Sequence, residues 1–115
     1  IVLKPNMVIS GLKCSEQANV EEVADLTVEC FKEYVPESVG GIAFLSGGQS
    51  SDVATENLNQ MNKKYFNLPW NLTFSYGRAL QQDALNAWSG TNREEGQKEL
   101  LKRANNNSLA TMGKF

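Results

Sequence analysis

Gly-Gly-Ile-Ala-Phe-Leu-Ser-Gly-Gly-Gln-Ser-Ser occupies positions 40–51 and decides how the rest of the chain is read. Ile42, Ala43, Phe44 and Leu45 form a short apolar run bounded by glycines, the signature of a strand buried on both faces. Ser46-Gly47-Gly48 then breaks the run, and the missing side chains leave backbone N–H groups open to a ligand. Ser50, Ser51 and Asp52 offer caps for a helix running to about Asn62. Strand, glycine turn and helix start is the layout in which backbone donors and a helix dipole hold an anion. The same layout also occurs in turns that bind nothing, so the flanking sequence has to decide.

Upstream, Ile1-Val2-Leu3 is a strand whose ladder ends at Pro5, which puts Lys4 at its C-terminal end. Asn19 caps a helix in which Val20, Val23, Ala24, Thr27, Cys30, Phe31 and Tyr34 recur at helical spacing until Pro36. Downstream, Val53, Ala54, Asn57, Leu58 and Met61 mark one face of the second helix. Leu72 to Tyr76 reads as a third strand, closed by Gly77-Arg78, and a helix follows from about Ala79 to Trp88. Thr91-Asn92-Arg93-Glu94 has capping-box spacing and opens a last helix through Ala104, whose end the run Asn105-Asn106-Asn107 weakens. This alternation predicts an α/β fold with parallel strands joined by right-handed helical crossovers. Three such strands leave two raw edges, so residues 1–115 read as an incomplete piece of one larger parallel sheet or barrel.

Composition narrows the partners. The chain has 115 residues, a net charge of −2 and no Lys/Arg run, which argues against nucleic acid and anionic membranes. No apolar run approaches the roughly 20 residues of a membrane span. Cys14 and Cys30 lack metal or redox spacing and read as reduced thiols of a cytoplasmic protein. Histidine is absent, which removes His-based triads and His-ligated metals. Neither GxGxxG nor GxxxxGK[ST] occurs, so nucleotide binding loses its motif.

Parallel strands bring Lys4, Ser46-Gly47-Gly48 and Ser75-Tyr76-Gly77-Arg78 to one C-terminal rim, where barrels carry their chemistry. Arg78 can grip a phosphate through its fork of donors, and Gly47 and Gly77 allow close backbone approach. Alternatively, Arg78 is a solvated or structural arginine and Lys4 a solvated strand cap. If Lys4 is chemical, its role is an amine nucleophile that forms a Schiff base with a carbonyl, given burial beside Val2 and Leu3 and a neighbouring cation such as Arg78.

Leu3-Lys4-Pro5-Asn6-Met7-Val8, Phe44 to Ser50 and Leu72 to Leu80 closely resemble three signature stretches of class I fructose-bisphosphate aldolase. The likeness extends through Asn57-Leu58-Asn59 and from Ala104 to Phe115. It implies the C-terminal portion of a TIM (β/α)8 barrel, strands six to eight with their helices. It implies reversible, metal-free cleavage of fructose 1,6-bisphosphate to dihydroxyacetone phosphate and glyceraldehyde 3-phosphate. Lys4 would form the Schiff base; Ser46, Gly47, Ser75, Gly77 and Arg78 would surround the C1-side phosphate; Leu45 would line the site. No cofactor, a sugar-phosphate substrate and a homotetramer complete the expectation. The family's other catalytic carboxylates and lysine, its second phosphate site and its terminal tyrosine match nothing in these residues. The isolated chain is therefore expected to be inactive or nearly so, and a non-catalytic sugar-phosphate-binding or scaffolding piece stands as the alternative.

Overall fold

A computed structural model describes all of residues 1–115. In order, the elements are β1 (Val2–Leu3), α1 (Val20–Tyr34), β2 (Gly41–Phe44), α2 (Ser51–Lys64), β3 (Leu72–Phe74), α3 (Arg78–Trp88) and α4 (Arg93–Thr111). The strands form one parallel sheet in the order β1-β2-β3. Val2 lies opposite Gly41, Leu3 opposite Ile42, and Phe44 opposite Phe74. Backbone bonds carry the pairing past the strand ends: the Leu45 amide donates to the Pro5 carbonyl at 3.0 Å, and Ser75 donates to Phe44 at 2.7 Å. The rim expected from the sequence is therefore built by three adjacent strand ends.

Alternation along the strands sorts the sheet into two unlike faces. Ile42, Phe44 and Leu72 point into the core, where Phe44 stacks on Phe31 of α1 with ring centroids 5.6 Å apart. Each such side chain contributes roughly 1.5–3 kcal/mol by leaving water. Ala43, Leu45, Thr73 and Ser75 lie on the opposite face and are only part-buried. Within residues 1–115 the two faces of the sheet are thus covered unequally. Val23, Ala24, Val28 and Phe31 of α1, Ala54, Leu58 and Met61 of α2 and Ala110 of α4 join Ile42, Phe44 and Leu72 in one core.

Caps follow the local sequence with one shift. Asn19 accepts from the Glu22 amide at 2.9 Å and Ser50 from the Val53 amide at 3.3 Å. At α4 the cap is Asn92, which accepts from Glu95, rather than Thr91. Helix α2 runs to Lys64, two residues beyond Asn62, and Val53 turns outward while Thr55 takes the buried position. Of the α1 stripe, Val23, Ala24, Thr27 and Phe31 are buried, whereas Tyr34 is exposed.

The asparagine run does not end α4. Asn107 is fully buried and its Oδ1 lies 2.7 Å from Thr55 Oγ1. The Asn62 side chain donates to the Ala110 carbonyl at 3.1 Å, tying α2 to the same stretch. Tertiary hydrogen bonds thus outweigh the modest helix propensity of asparagine. The helix stops at Gly113, whose φ of +68° and 3.2 Å bond to Ala110 make a left-handed cap.

Candidate functional site

Three of the residues singled out from sequence share the open face of the sheet. Leu3 packs on the core, so alternation turns Lys4 to the other side, together with Leu45 and Ser75. The Lys4 side chain is exposed, and Val2 beside it is 64% exposed. Within residues 1–115, Lys4 is thus not buried against Val2 and Leu3.

The other four residues gather where β2 and β3 give way to helices. Gly47 and Gly48 are both left-handed, with φ of +58° and +85°. A Cβ on Gly47 would overlap the Asn6 carboxamide, which itself accepts from the Met7 amide at 2.9 Å. Glycine at position 47 is thus favoured by its φ, and a side chain there would also have to displace the Asn6 carboxamide. Replacing Gly47 by Ala is expected to cost about 2 kcal/mol from the backbone alone. Thermal unfolding should show the loss, and an unchanged midpoint would mean that Asn6 and the turn are free to move.

Ser46 is 5% exposed, and its carbonyl accepts from both the Gln49 amide at 3.0 Å and the Gln49 side chain at 2.9 Å. No protein acceptor is paired with the amides of Gly47, Gly48 or Gly77. Gly77 precedes α3 with no side-chain cap, which leaves that helix N-terminus open as well. Arg78 opens α3, is exposed and forms no ion pair. It lines a hollow of about 270 Å³ with Gly48, Gln49, Ser51, Gln82 and Asp83. A Cβ on Gly48 would stand 4.0 Å from Arg78 Nη2, so the glycine turn and the guanidinium adjoin. Gly48 with its unpaired amide, the start of α2 and Arg78 border this hollow, and the unpaired amides of Gly47 and Gly77 lie in the adjoining segments, an arrangement that suits a phosphate-sized anion. Lys4 lies outside this hollow, on the open face of the neighbouring strand.

Four residues of the surroundings escaped the sequence reading. Asn6 fills the space over Gly47, and Gln49 closes the turn from beneath. Asp83 accepts from Ser51 Oγ at 3.0 Å, joining α3 to the start of α2. Arg103 of α4, 2% exposed, reaches Asp52 at 2.5 Å and Asp83 at 3.8 Å. Only Gln49, adjoining a double glycine, carried any local sign of its place. No helix is long and apolar enough to cross a membrane, and no group of three or more acidic or thiol side chains is arranged to hold a metal.

Comparison with known proteins matches this arrangement to one family. The family model for class-I fructose-bisphosphate aldolase covers residues 1–115. Fructose-bisphosphate aldolase A of Salmo salar is 51% identical over 116 residues, a match spanning 99% of this chain and 32% of that protein. Fructose-bisphosphate aldolase C of Pan troglodytes is 50% identical over 116 residues, with the same coverage of each chain. The fructose-bisphosphate aldolase of Plasmodium falciparum, solved in complex with TRAP and a small molecule inhibitor, superposes with a TM-score of 0.93 at 47% identity. That match covers 99% of this chain and 33% of the other. The chain therefore spans about a third of the length of the relatives it matches. With the family model spanning the whole chain and relatives about 50% identical across it, the chain belongs to the class-I fructose-bisphosphate aldolase family.

Proposed function

We propose that these residues supply the Schiff-base lysine and the C1-phosphate side of a fructose 1,6-bisphosphate aldolase site. The observation that supports this reading is that Lys4, Leu45 and Ser75 fall on one face of three paired strand ends, of which β2 leads into the Gly47-Gly48 turn and β3 into Gly77 and Arg78. In the proposed reaction the Lys4 amine attacks the C2 ketone, water leaves, and a protonated imine forms. The imine accepts the electron pair of the C3–C4 bond as the C4 hydroxyl gives up its proton, releasing glyceraldehyde 3-phosphate. Protonation at C3 and hydrolysis of the imine then release dihydroxyacetone phosphate and restore the amine. No metal or cofactor enters this scheme.

The phosphate half follows from charge. Arg78 and the unpaired amides of Gly47, Gly48 and Gly77 hold the C1 phosphate, with Ser46 and Ser75 beside them and Leu45 against the sugar. Fixing that phosphate positions the ketone for the amine, and positioning of this kind is a large contribution to rate. Residues 1–115 correspond in this reading to strands six to eight of a single (β/α)8-barrel domain. The groups for proton transfer and for the second phosphate come from the other strands of that barrel. A cytoplasmic homotetramer is the assembly and setting proposed for the whole protein.

Borohydride reduction of the full-length protein in the presence of dihydroxyacetone phosphate is expected to label Lys4. A label found on another residue would overturn the assignment. A fold that takes up the phosphate ligand with no label at all would favour the non-catalytic binding reading instead.

A further inference from the structure

Beneath the glycine turn lies a chain of three polar groups that the substrate site does not itself require. Asn57 of α2 is 1% exposed, and its Nδ2 donates to Gln49 Oε1 at 2.6 Å. That bond fixes which way the Gln49 amide faces, because an amide oxygen occupied as acceptor leaves the nitrogen to point the other way. Gln49 Nε2 then donates to the Ser46 carbonyl at 2.9 Å and makes a weaker contact with Met7 Sδ at 3.5 Å. The Gln49 backbone amide also donates to the same carbonyl, at 3.0 Å. Both lone pairs of the Ser46 oxygen are therefore taken from one side.

Planarity of the peptide converts this into a statement about the anion site. In a trans peptide the C=O and the following N–H point in opposite directions, and the chain has no cis bond. Holding the Ser46 carbonyl down towards Gln49 turns the Gly47 N–H away from Gln49, on the side where no protein acceptor meets it. Without the Gln49 side chain, only the Gln49 backbone amide still holds that carbonyl, and two left-handed glycines in sequence let the peptide rotate more readily. A rotated peptide would offer an anion a carbonyl oxygen in place of a donor.

We infer that Gln49, oriented by Asn57, is a positioning residue that presets the Gly47 amide for phosphate. This rests on the phosphate reading given above and adds which residues prepare the donor. Gln49→Met keeps the side-chain volume and removes both hydrogen bonds, while Asn57→Ser removes the orienting donor from a residue remote from any ligand.

The test uses the full-length enzyme and borohydride trapping, with half-saturating concentrations read for dihydroxyacetone phosphate and for unphosphorylated dihydroxyacetone. Gln49→Met is expected to raise the first about tenfold and to leave the second within about twofold, since a misplaced donor costs on the order of one charge-assisted hydrogen bond. Asn57→Ser is expected to shift in the same direction by less, and it carries the test if Gln49→Met does not fold. Equal changes for both ligands, or no change for either, would overturn the inference. Arg78→Ala separates the two layers. If it too leaves dihydroxyacetone phosphate unaffected, the phosphate reading has failed; if it weakens that ligand while Gln49→Met does not, only the role of Gln49 has.

Discussion

Replacing Lys4 by Met in the full-length enzyme is expected to lower the rate of fructose 1,6-bisphosphate cleavage by roughly 10⁴-fold or more. The magnitude follows from the proposed role of Lys4 as covalent nucleophile, whose loss removes the Schiff-base route. Methionine keeps the length and apolar stem of lysine, and position 4 is exposed on an open sheet face, so the fold should tolerate the change. The proposed phosphate site rests on other residues, and inorganic phosphate should therefore bind the variant about as well as the parent. This split between lost turnover and kept phosphate affinity distinguishes a chemical role from a solvated strand cap. Steady-state cleavage and phosphate competition measured on one preparation decide between them. Turnover within tenfold of the parent would remove Lys4 from the mechanism.

A comparably large effect on stability is expected at the junction of α2, α3 and α4. Arg103 is 2% exposed, while its closest partner Asp52 keeps its side chain 77% exposed. Its second guanidinium nitrogen donates to Thr55 Oγ1 at 3.1 Å. That hydroxyl has one proton to share between the Ser51 carbonyl and Asn107 Oδ1. Neutralising the acids with Asp52→Asn and Asp83→Asn leaves a buried cation without a counter-charge, a change that typically costs about 3–5 kcal/mol. Against a total stability of order 5–15 kcal/mol, that is a large fraction.

Removing the cation itself has a different expected result. Arg103→Met leaves only an acid that water already reaches at Asp52, and an apolar side chain of similar length fills the site. Buried ion pairs replaced by apolar groups are often nearly neutral. Adding Arg103→Met to the doubly neutralised protein should therefore recover most of the lost stability. Urea unfolding of the four proteins gives the comparison. A triple variant no more stable than the double one would show that the charge is not what the acids compensate.

How far the sequence reaches depends on the range of the interaction. Asn19, Ser50 and Gly47 act on atoms within a few residues of themselves, and their roles as caps and turn were legible. The three strands and four helices were legible too, because apolar periodicity and punctuation are local properties. Parallel order then followed from connection length and handedness, which left few alternatives.

Other features depended on partners distant along the chain. The continuation of α4 through its asparagines rests on Thr55 and Asn62, and the burial of Arg103 rests on two acids from other helices. The outward turn of Val53 and the burial of Thr55 were decided by how α2 packs against its neighbours. What the sequence determined alone was the set of elements, the rim on which they end, and the residue types brought there. Tertiary structure decided which face of each strand is covered, and which polar side chains replace water as partners once buried. A buried polar group is stable only beside a partner, and that partner's identity is set by packing in three dimensions.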